Sequence, residues 1–333
     1  MVFIDLSKAF DTVDRSTLWT LLRRYGCPET FVKIIQEFHD GMAGAVSIGG
    51  STTDPFEISH GLKQGCVLAP TLFTLFLAAL LSTVSEHISP GVFIRTRSDG
   101  KLFNLARLKA STKTRELCIR ELLFADDAAI VAHTLEDIRE ICKQFEQAAT
   151  MFGLTINTKK TVTLYQPPPG QTSIDPHVEI YATPLKTVKN FTYLGSTVAS
   201  DNTIDVEINN RIQAASGAFG GLWKRVWSQH GISVSTKCKV YKAIVLPTLL
   251  YSAETYTLYR RHFRKLSKVH LRHLRQILRI SWKDHIPNVE VLRRANMSSI
   301  EATPTASQLR WTGHIIRMND SRLPKAVFCG ELA

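Results

Sequence analysis

Residues 121–131 read ELLFADDAAIV, so that two adjacent carboxylates, Asp126 and Asp127, stand between two short apolar runs. The runs have the length and composition of β-strands, and we expect a β-hairpin that carries both carboxylates at its turn. Adjacent negative charges beside apolar sequence repel each other and are costly to desolvate. A divalent cation is the expected counter-charge.

A third carboxylate ends another apolar run, because residues 1–11 read MVFIDLSKAFD and Asp5 follows a strand-like segment. Three carboxylates on two strand ends can hold two Mg²⁺ ions about 4 Å apart, an arrangement that catalyses phosphoryl transfer. A solvated acidic turn is the alternative for Asp126 and Asp127 taken alone. The presence of Asp5 favours the metal site.

The composition is that of a globular protein, with 333 residues of which 44% are hydrophobic, enough for two or three packed units. No apolar run reaches the roughly 18 residues of a membrane span, and the N-terminus lacks a secretory signal. We therefore expect an intracellular protein that is not secreted, with the nucleus as a compatible location. The six cysteines are scattered, which predicts reduced thiols without disulfides or zinc.

The net charge of +12 is concentrated in the C-terminal part, where residues 205–333 hold 21 Lys and Arg against 8 Asp and Glu. Residues 1–204 hold 20 against 21. A basic module joined to an acidic metal site indicates a polyanionic substrate, most simply a nucleic acid. A solvated basic surface is the alternative.

The hydrophobic periodicity predicts an α+β chain with a boundary near residues 198–204. In the first part we expect strands at 2–6, 45–48, 56–59, 92–94, 102–104, 121–123, 128–131, 154–156, 162–165, 178–181 and 191–194. The helices expected there are two within 15–38, capped by Asp11 or Asp14 and separated at 26–28, and one each at 72–84 and 135–151. The second part is predicted to be helical, at 206–226, 236–252, 261–278 and 288–295.

Five motifs follow one another along the chain: FIDLSKAFD at 3–11, GLKQGCVLAP at 61–70, FADD at 124–127, GLTINTKKT at 153–161 and YLG at 193–195. In these motifs and in their order, the chain resembles the reverse transcriptases of non-LTR (LINE-type) retrotransposons. The resemblance implies a right-hand polymerase palm with a mainly antiparallel sheet, followed by an α-helical thumb and a helical C-terminal extension. The implied ranges are 1–200 for the palm, 201–283 for the basic thumb and 284–333 for an extension without an assigned role.

The same resemblance implies RNA-directed DNA synthesis by attack of a primer 3′-hydroxyl on a deoxynucleoside triphosphate. Asp5, Asp126 and Asp127 would then be catalytic and would hold two Mg²⁺ ions, with Mn²⁺ as a possible substitute. Lys160 would lie near the leaving phosphates, where an ammonium can stabilise charge or donate a proton. An isolated Lys-Lys pair such as Lys159 and Lys160 is otherwise more typical of solvated surface.

Further positions take their implied roles from the motifs. Phe10 would pack under the nucleotide sugar and exclude a 2′-hydroxyl, although an aromatic that fills the core is the alternative. Gln64 and Gly65 would approach the nucleotide or template. The turn that grips the primer end would be formed by Tyr193, Leu194 and Gly195.

A basic stripe at helical spacing is expected to contact phosphates without reading sequence. Its residues are Arg260, Arg261, Arg264, Lys265, Lys268, Arg272, Arg275 and Arg279. Residues 311–318, WTGHIIRM, also resemble a C-terminal segment of such elements, and no role can be derived for them. For His314 we expect a satisfied side chain in an apolar helix rather than a metal site with Cys329.

The sequence also departs from the family. It begins four residues before Asp5, so we expect the fingers region to be missing, together with the endonuclease domain and any Cys/His knuckle. The implied partners are an RNA template, a DNA primer and deoxynucleoside triphosphates, with no membrane and no indicated oligomeric state. Two alternatives remain: an inactive remnant that only binds RNA or DNA through its basic helices, and a nucleotidyl cyclase.

Overall fold

The computed structural model describes residues 1–86, 91–97, 114–168, 170–171 and 175–332. Within these residues the chain forms two compact units, one of residues 1–189 with 330–332 and one of residues 190–329. The strand expected at 102–104 lies outside the described residues. Among the helices that are described, none is long and apolar enough to cross a membrane.

The strands of the first unit are mostly short. They are β1 (Val2–Asp5), β2 (Ala43–Gly44), β3 (Ser47–Ile48), β4 (Ser51–Thr52), β5 (Phe56–Glu57), β6 (Val92–Arg97), β7 (Thr114–Ile119), β8 (Glu121–Phe124), β9 (Asp127–Ile130), β10 (Val162–Thr163), β11 (Glu179–Ile180), β12 (Thr183–Pro184) and β13 (Lys186–Thr187). Five of them form the main sheet, in the order β13-β10-β1-β9-β8. Each pairing is antiparallel except that of β10 with β13, which confirms the expected mainly antiparallel sheet.

Among the described residues, four helices contribute to the core of this unit: α1 (Arg15–Arg24), α2 (Glu29–Glu37), α3 (Ala69–Glu86) and α4 (Leu135–Met151). The first begins at Asp14, whose carboxylate accepts a hydrogen bond from the main-chain nitrogen of Thr17 at 2.7 Å. This is the N-cap expected of an Asp. Phe76 of α3 and Phe145 of α4 are buried in one cluster with Ile4 of β1, so the helices pack on the central strands.

Three local features of the first unit refine the sequence predictions. The segments expected as strands at 45–48 and 56–59 belong to one interrupted hairpin, in which β2 pairs with β5 and β3 pairs with β4. Its turn lies at Gly49 and Gly50, which take positive φ values of 59° and 88°. Residues 154–156 contribute only a single bridge, Leu6 to Ile156. The strand β7 was not predicted, since Thr114–Ile119 lacks a continuous apolar run.

The second unit consists of a hairpin and helices. Its elements are β14 (Asn190–Tyr193), β15 (Ser196–Ala199), α5 (Asp205–Gly221), α6 (Val234–Val240), α7 (Leu246–Leu249), α8 (Arg260–Leu278), α9 (Asn288–Ala295), α10 (Ala302–Arg317) and α11 (Leu323–Cys329). A short strand, β16 (Glu331–Leu332), returns to the first unit and pairs with β6. The core of the second unit includes Phe219, Tyr241 and Leu274.

The helices expected at 206–226 and 236–252 are interrupted. Each contains a wider, π-helical turn, at Trp223–Trp227 and at Tyr241–Val245. The second of these turns lies just before Pro247, which has no N–H to donate within a helix. The helices at 261–278 and 288–295 agree with α8 and α9 within one residue.

Candidate active site

Asp5 and Asp127 lie opposite each other on neighbouring strands. They are the last residue of β1 and the first of β9, and the antiparallel register pairs them directly. The preceding pairs in this ladder are Ile4 with Ala128 and Val2 with Ile130, all buried in the core of the unit. Because side chains alternate along a strand, Asp5 and Asp127 share the face opposite to these core residues.

Asp126 lies in the turn of the predicted β8–β9 hairpin. Phe124 pairs with Asp127, so that Ala125 and Asp126 form a two-residue loop. Ala125 has a φ of 54°, a backbone conformation that residues other than glycine seldom adopt. Residues in strained backbone conformations often occur at functional sites. Here the tight loop brings Asp126 to the same end of the sheet as Asp5 and Asp127.

The electrostatics of the carboxylates reflect this crowding. The pKa of Asp127 is raised, first by burial and then by the negative charges of Asp126 and Asp5. Both Asp126 and Asp127 are exposed to solvent, and the Asp5 side chain is 38% exposed. A ligand that carries positive charge can therefore reach all three.

The loop after α4 fixes the end of β1. The main-chain N–H of Asp5 donates to the Thr161 hydroxyl at 3.2 Å, and that of Asn157 donates to the Asp5 carbonyl at 2.8 Å. The Asn157 side chain accepts from the main-chain nitrogen of Lys160 at 3.3 Å. Lys160 then places its Nζ 3.8 Å from Asp5 Oδ2 with 70% of its side chain exposed. Lys160 is thus beside the carboxylates and mostly exposed to solvent.

The donor set suits a divalent cation by chemistry. Three carboxylates at one sheet end, one with a raised pKa, are the oxygen ligands that Mg²⁺ prefers. In the described part of the chain, no three His, Cys, Asp or Glu side chains are placed as ligands of one ion. Asp126 and Asp127 are exposed, so their side chains have room to rotate toward a bound ion. The residue types therefore fit a divalent cation, although their side chains are not already arranged around one.

Phe10 follows the strand that carries Asp5 and packs on the first helix after the GLKQG motif. Its ring stacks on Phe73 of α3, with the centroids 4.3 Å apart, and its carbonyl accepts from the main-chain nitrogen of Leu62 at 2.8 Å. Phe10 is only partly buried. The ring packs on the core while part of it faces solvent. Both interpretations of Phe10, as a side chain that contacts the nucleotide sugar and as one that fills the core, are therefore compatible with its position.

Gln64 contacts the same loop, because its Nε2 donates to Asp11 Oδ1 at 3.0 Å. Nearby, Gly61 has a φ of 80°, and a Cβ there would lie 2.5 Å from the main-chain oxygen of Asp11. Gly65 also has a positive φ, 83°, with open space around it. Only glycine allows the close approach at Gly61. Asp11 and Gly61 therefore fix this loop, and the motif analysis did not single them out.

In the second unit, Leu194 and Gly195 form the two-residue turn of the β14–β15 hairpin, with φ values of 49° and 78°. The Tyr251 hydroxyl donates to the Leu194 carbonyl at 3.1 Å. Arg211 donates to the Gly195 carbonyl, and its guanidinium lies 4.5 Å from the centre of the Tyr251 ring. Two side chains from the helical region therefore hold the turn that follows Tyr193.

A buried carboxylate, Glu207, supports this arrangement. It is 1% exposed and accepts hydrogen bonds from Arg211, from the Thr197 main-chain nitrogen at 2.7 Å and from the Tyr256 hydroxyl at 2.8 Å. Burial acts to raise the pKa of Glu207, and these hydrogen bonds outweigh it, so that the pKa is lowered. No local sequence pattern marked Glu207, because its partners are 4, 10 and 49 residues away.

The basic stripe on α8 divides into two sets. Arg261 and Lys265 pair with Asp205, Arg275 donates to the Ile286 carbonyl and to Asn288, and Arg279 approaches His230. The second set is exposed and makes no hydrogen bond or ion pair with any residue that the structure describes. Its members are Arg260, Arg264, Lys268 and Arg272. These four recur at intervals of four residues and form one continuous row.

The predicted site residues therefore fall into three groups. Asp5, Asp126, Asp127 and Lys160 come together at one end of the main sheet. Phe10, Gln64 and Gly65 lie in the loops around α3. The turn at 193–195 and the α8 row belong to the second unit.

Comparison with known proteins identifies the family of the first part of the chain. A family model described as "Reverse transcriptase (RNA-dependent DNA polymerase)" matches residues 1–198. The chain is 24% identical over 291 residues to the RNA-directed DNA polymerase from mobile element jockey of Drosophila melanogaster, covering 86% of this chain and 29% of that protein. These matches confirm the resemblance to non-LTR retrotransposon reverse transcriptases.

Two further likenesses complete the comparison. A Pol polyprotein from the R2 element of Popillia japonica is 24% identical over 265 residues, with 77% of this chain and 38% of that protein covered. Thus the chain spans less than two fifths of the length of these relatives. A structure of telomerase from Candida albicans with a fragment of telomeric RNA overlaps 96% of this chain and 49% of that chain, at 11% identity and a TM-score of 0.36.

Proposed function

The chain belongs to the reverse transcriptase (RNA-dependent DNA polymerase) family, and we propose that it performs RNA-directed DNA synthesis with two Mg²⁺ ions held by Asp5, Asp126 and Asp127. One observation carries the proposal: Asp5 faces Asp127 across two antiparallel strands, with Asp126 in the adjoining turn. Residues 1–200 are proposed as the palm, 201–283 as the thumb and 284–333 as an extension. An RNA template, a DNA primer and deoxynucleoside triphosphates are the proposed substrates, which would meet in the nucleus.

When bound, the two ions supply positive charge to the attacking 3′-oxygen and to the leaving pyrophosphate. The chain supplies the rest of the proposed site. The β1–β9 ladder and its adjoining turn hold the three carboxylates at one sheet end, while the exposed Lys160 ammonium can stabilise the charge that develops on the pyrophosphate. Mn²⁺ can replace Mg²⁺ at such oxygen ligands.

Selection and positioning of the substrates are proposed for the remaining motif residues. Phe10, held against Phe73, blocks a 2′-hydroxyl and so selects deoxynucleotides. Gln64, oriented by Asp11, contacts the nucleotide or template strand. The turn at Leu194 and Gly195, held by Tyr251 and Arg211, contacts the primer end.

Primer extension on an RNA template with Mg²⁺ tests the proposal. The wild-type chain should extend a DNA primer, and Asp126→Asn should abolish extension while leaving the melting temperature within about 2 °C of the wild-type value. Asp54→Asn is a matched control, since Asp54 is an exposed turn residue away from the sheet. Extension that survives Asp126→Asn would refute the role of the carboxylates, and triphosphate turnover without a primer would indicate a cyclase.

A second candidate function is nucleic-acid binding without polymerisation. The row of Arg260, Arg264, Lys268 and Arg272 supports it, because four exposed cations that have no partner among the described residues suit a phosphate backbone. In that case, salt-sensitive binding of RNA or DNA persists in the Asp126→Asn variant, and neither protein extends a primer. Neutralisation of the row would abolish the binding.

A further inference from the structure

The segment at 311–318 contributes to a cavity that the polymerase proposal does not use. Ser307, Arg310, Trp311 and His314 lie on one face of α10 at helical spacing, and Glu254 closes the cavity from the segment before α8. Its volume is about 260 Å³ and it is open to solvent. This is smaller than the pockets of about 300–1,000 Å³ that enclose drug-sized ligands, so it suits a single ring system.

The cavity presents aromatic surface. Trp311 is 38% exposed, although it is the largest side chain of its helix. The His314 ring is also exposed, and its centroid lies 5.5 Å from that of Trp311 with the planes inclined at 36°. His314 is therefore not the satisfied residue of an apolar helix that the sequence predicted. An exposed indole at a cavity is a surface on which a planar ligand can stack.

The polar groups of the cavity are held in place from both sides. The Gln308 side chain donates to the carbonyls of Ala253 at 3.2 Å and Tyr256 at 3.0 Å, and so ties α10 to the residues on either side of Glu254. Arg310 donates to the Ser307 hydroxyl at 3.2 Å. Glu254 has no hydrogen bond or ion pair with the residues that the structure describes, and it is partly buried. Its carboxylate is available as an acceptor.

The charged side chains at and near the cavity favour different parts of a nucleotide, namely its base and its phosphate. Glu254 places a negative charge in the cavity, which repels a phosphate group. Two exposed cations lie on the same helix: Arg310, which also lines the cavity, and Arg317, whose guanidinium lies against Gly313. A planar ring that donates hydrogen bonds can pair with Glu254, and a phosphate next to that ring can pair with the arginines. A ligand with both groups therefore fits these charges.

We propose that this cavity binds one unpaired nucleobase of a single-stranded nucleic acid, stacked on Trp311, with its amino group donating to Glu254. Cytosine, adenine and guanine carry such an amino group, and thymine and uracil do not. The site therefore prefers amino-bearing bases. It extends the proposed function and does not depend on the carboxylates of the sheet.

Fluorescence anisotropy with labelled oligonucleotides of twelve deoxycytidines or twelve thymidines tests the site in the full chain. We expect the wild type to bind the cytidine oligonucleotide about fivefold more tightly at fixed salt, as one hydrogen bond to a charged group allows. Trp311→Ala should weaken binding of both oligonucleotides about tenfold. Glu254→Ala should remove the preference and retain thymidine binding.

Trp282→Ala is the matched control, because Trp282 is 79% exposed and lies in a different segment. Equal effects of Trp311→Ala and Trp282→Ala would overturn the proposal, as would a cytidine preference that survives Glu254→Ala. Photocrosslinking of the wild-type chain to an oligonucleotide with 5-iodocytosine tests it without substitution: the adduct should map to residues 307–314, and an adduct elsewhere contradicts it. Asp126→Asn should leave every one of these results unchanged, whatever the outcome of primer extension.

Discussion

Asp5 and Asp127 are directly opposed in the β1–β9 ladder, although both are acidic. Like charges at opposed positions destabilise a sheet. The pKa of Asp127 is raised, first by burial and then by the charges of Asp126 and Asp5. The chain therefore retains an arrangement that weakens the fold. Such a conflict between local stability and sequence is typical of a functional site.

The first prediction follows from that opposition. Asp127→Asn should stabilise the chain by about 0.5 kcal/mol at pH 7, because it removes a repulsion between partly exposed groups. Urea unfolding of the wild type and the variant measures the difference. Asp54→Asn, at an exposed turn, should have no effect, and an equal gain in that control would contradict the explanation.

The same pair has a defined pH dependence. Because the pKa of Asp127 is higher in the folded chain, the folded state binds the proton more tightly, and stability falls as pH rises from the ordinary value of 3.8 through the raised folded value. The gain in unfolding free energy from Asp127→Asn should therefore be present at pH 7 and absent below about pH 3.5. An advantage that is independent of pH would show that charge is not its cause.

A second prediction concerns divalent ions. If the carboxylates bind Mg²⁺ with a dissociation constant near 1 mM, then 10 mM Mg²⁺ stabilises the chain by roughly 1.4 kcal/mol. The melting temperature of the first unit should rise by about 3 °C. The double variant Asp5→Asn, Asp127→Asn should lose this rise in differential scanning fluorimetry, whereas Asp54→Asn should keep it. A rise of equal size in the double variant would place Mg²⁺ elsewhere.

The third prediction tests the close approach at Gly61. Gly61→Ala should destabilise the chain by about 2–4 kcal/mol, because the new Cβ would meet the main chain of Asp11 at a positive φ. Gly153→Ala is the control: its φ is 72° and nothing lies within 4 Å, so only the backbone penalty of about 1 kcal/mol remains. Equal losses in thermal melts would exclude the steric contact.

The strands that carry the three carboxylates could be predicted because their sequence signals are local. Hydrophobic runs on either side of Asp126 and Asp127 define β8 and β9, and the short run before Asp5 defines β1. Predicting that β1 and β9 are neighbours required the family motifs, since Asp5 and Asp127 are more than a hundred residues apart in the sequence. Local pattern predicts strands, and long-range packing decides which of them pair.

Other features had no local signal. The π-helical turn at Tyr241–Val245 includes the buried Tyr241 and lies just before Pro247. Periodicity identified the basic stripe on α8, but it could not separate Arg275, which donates to the Ile286 carbonyl, from Lys268, which has no such partner in the described part of the chain. The spacing of charges in the sequence shows which side chains share a helix face. Only the fold shows which of them already form hydrogen bonds or ion pairs within the protein.

The fourth prediction concerns the support of the hairpin turn at 194–195. Glu207→Gln should destabilise the second unit by about 3 kcal/mol, because Arg211 loses its buried counter-charge. Tyr251→Phe removes only the hydrogen bond to Leu194 and should cost about 1 kcal/mol. Because the pKa of Glu207 is lowered in the folded chain, its contribution should be lost as pH falls below about 4.5. Chemical unfolding at pH 7 and pH 3.5 checks both the order and the pH effect.

The last prediction separates the two sets of basic residues on α8. The triple variant Arg264→Gln, Lys268→Gln, Arg272→Gln should weaken binding of duplex nucleic acid and lower the slope of log affinity against log salt by about 2–3, with an unchanged melting temperature.

Arg275→Gln should have the opposite profile. It removes hydrogen bonds to the Ile286 carbonyl at 3.0 Å and to Asn288 at 2.7 Å, so the free energy of unfolding should fall by about 1–3 kcal/mol while the salt slope stays nearly constant. The contrast follows from occupancy: a guanidinium already bound to the protein has few donors left for phosphate. If Arg275→Gln lowers the slope as much per charge as the triple variant does, the division of the stripe is wrong.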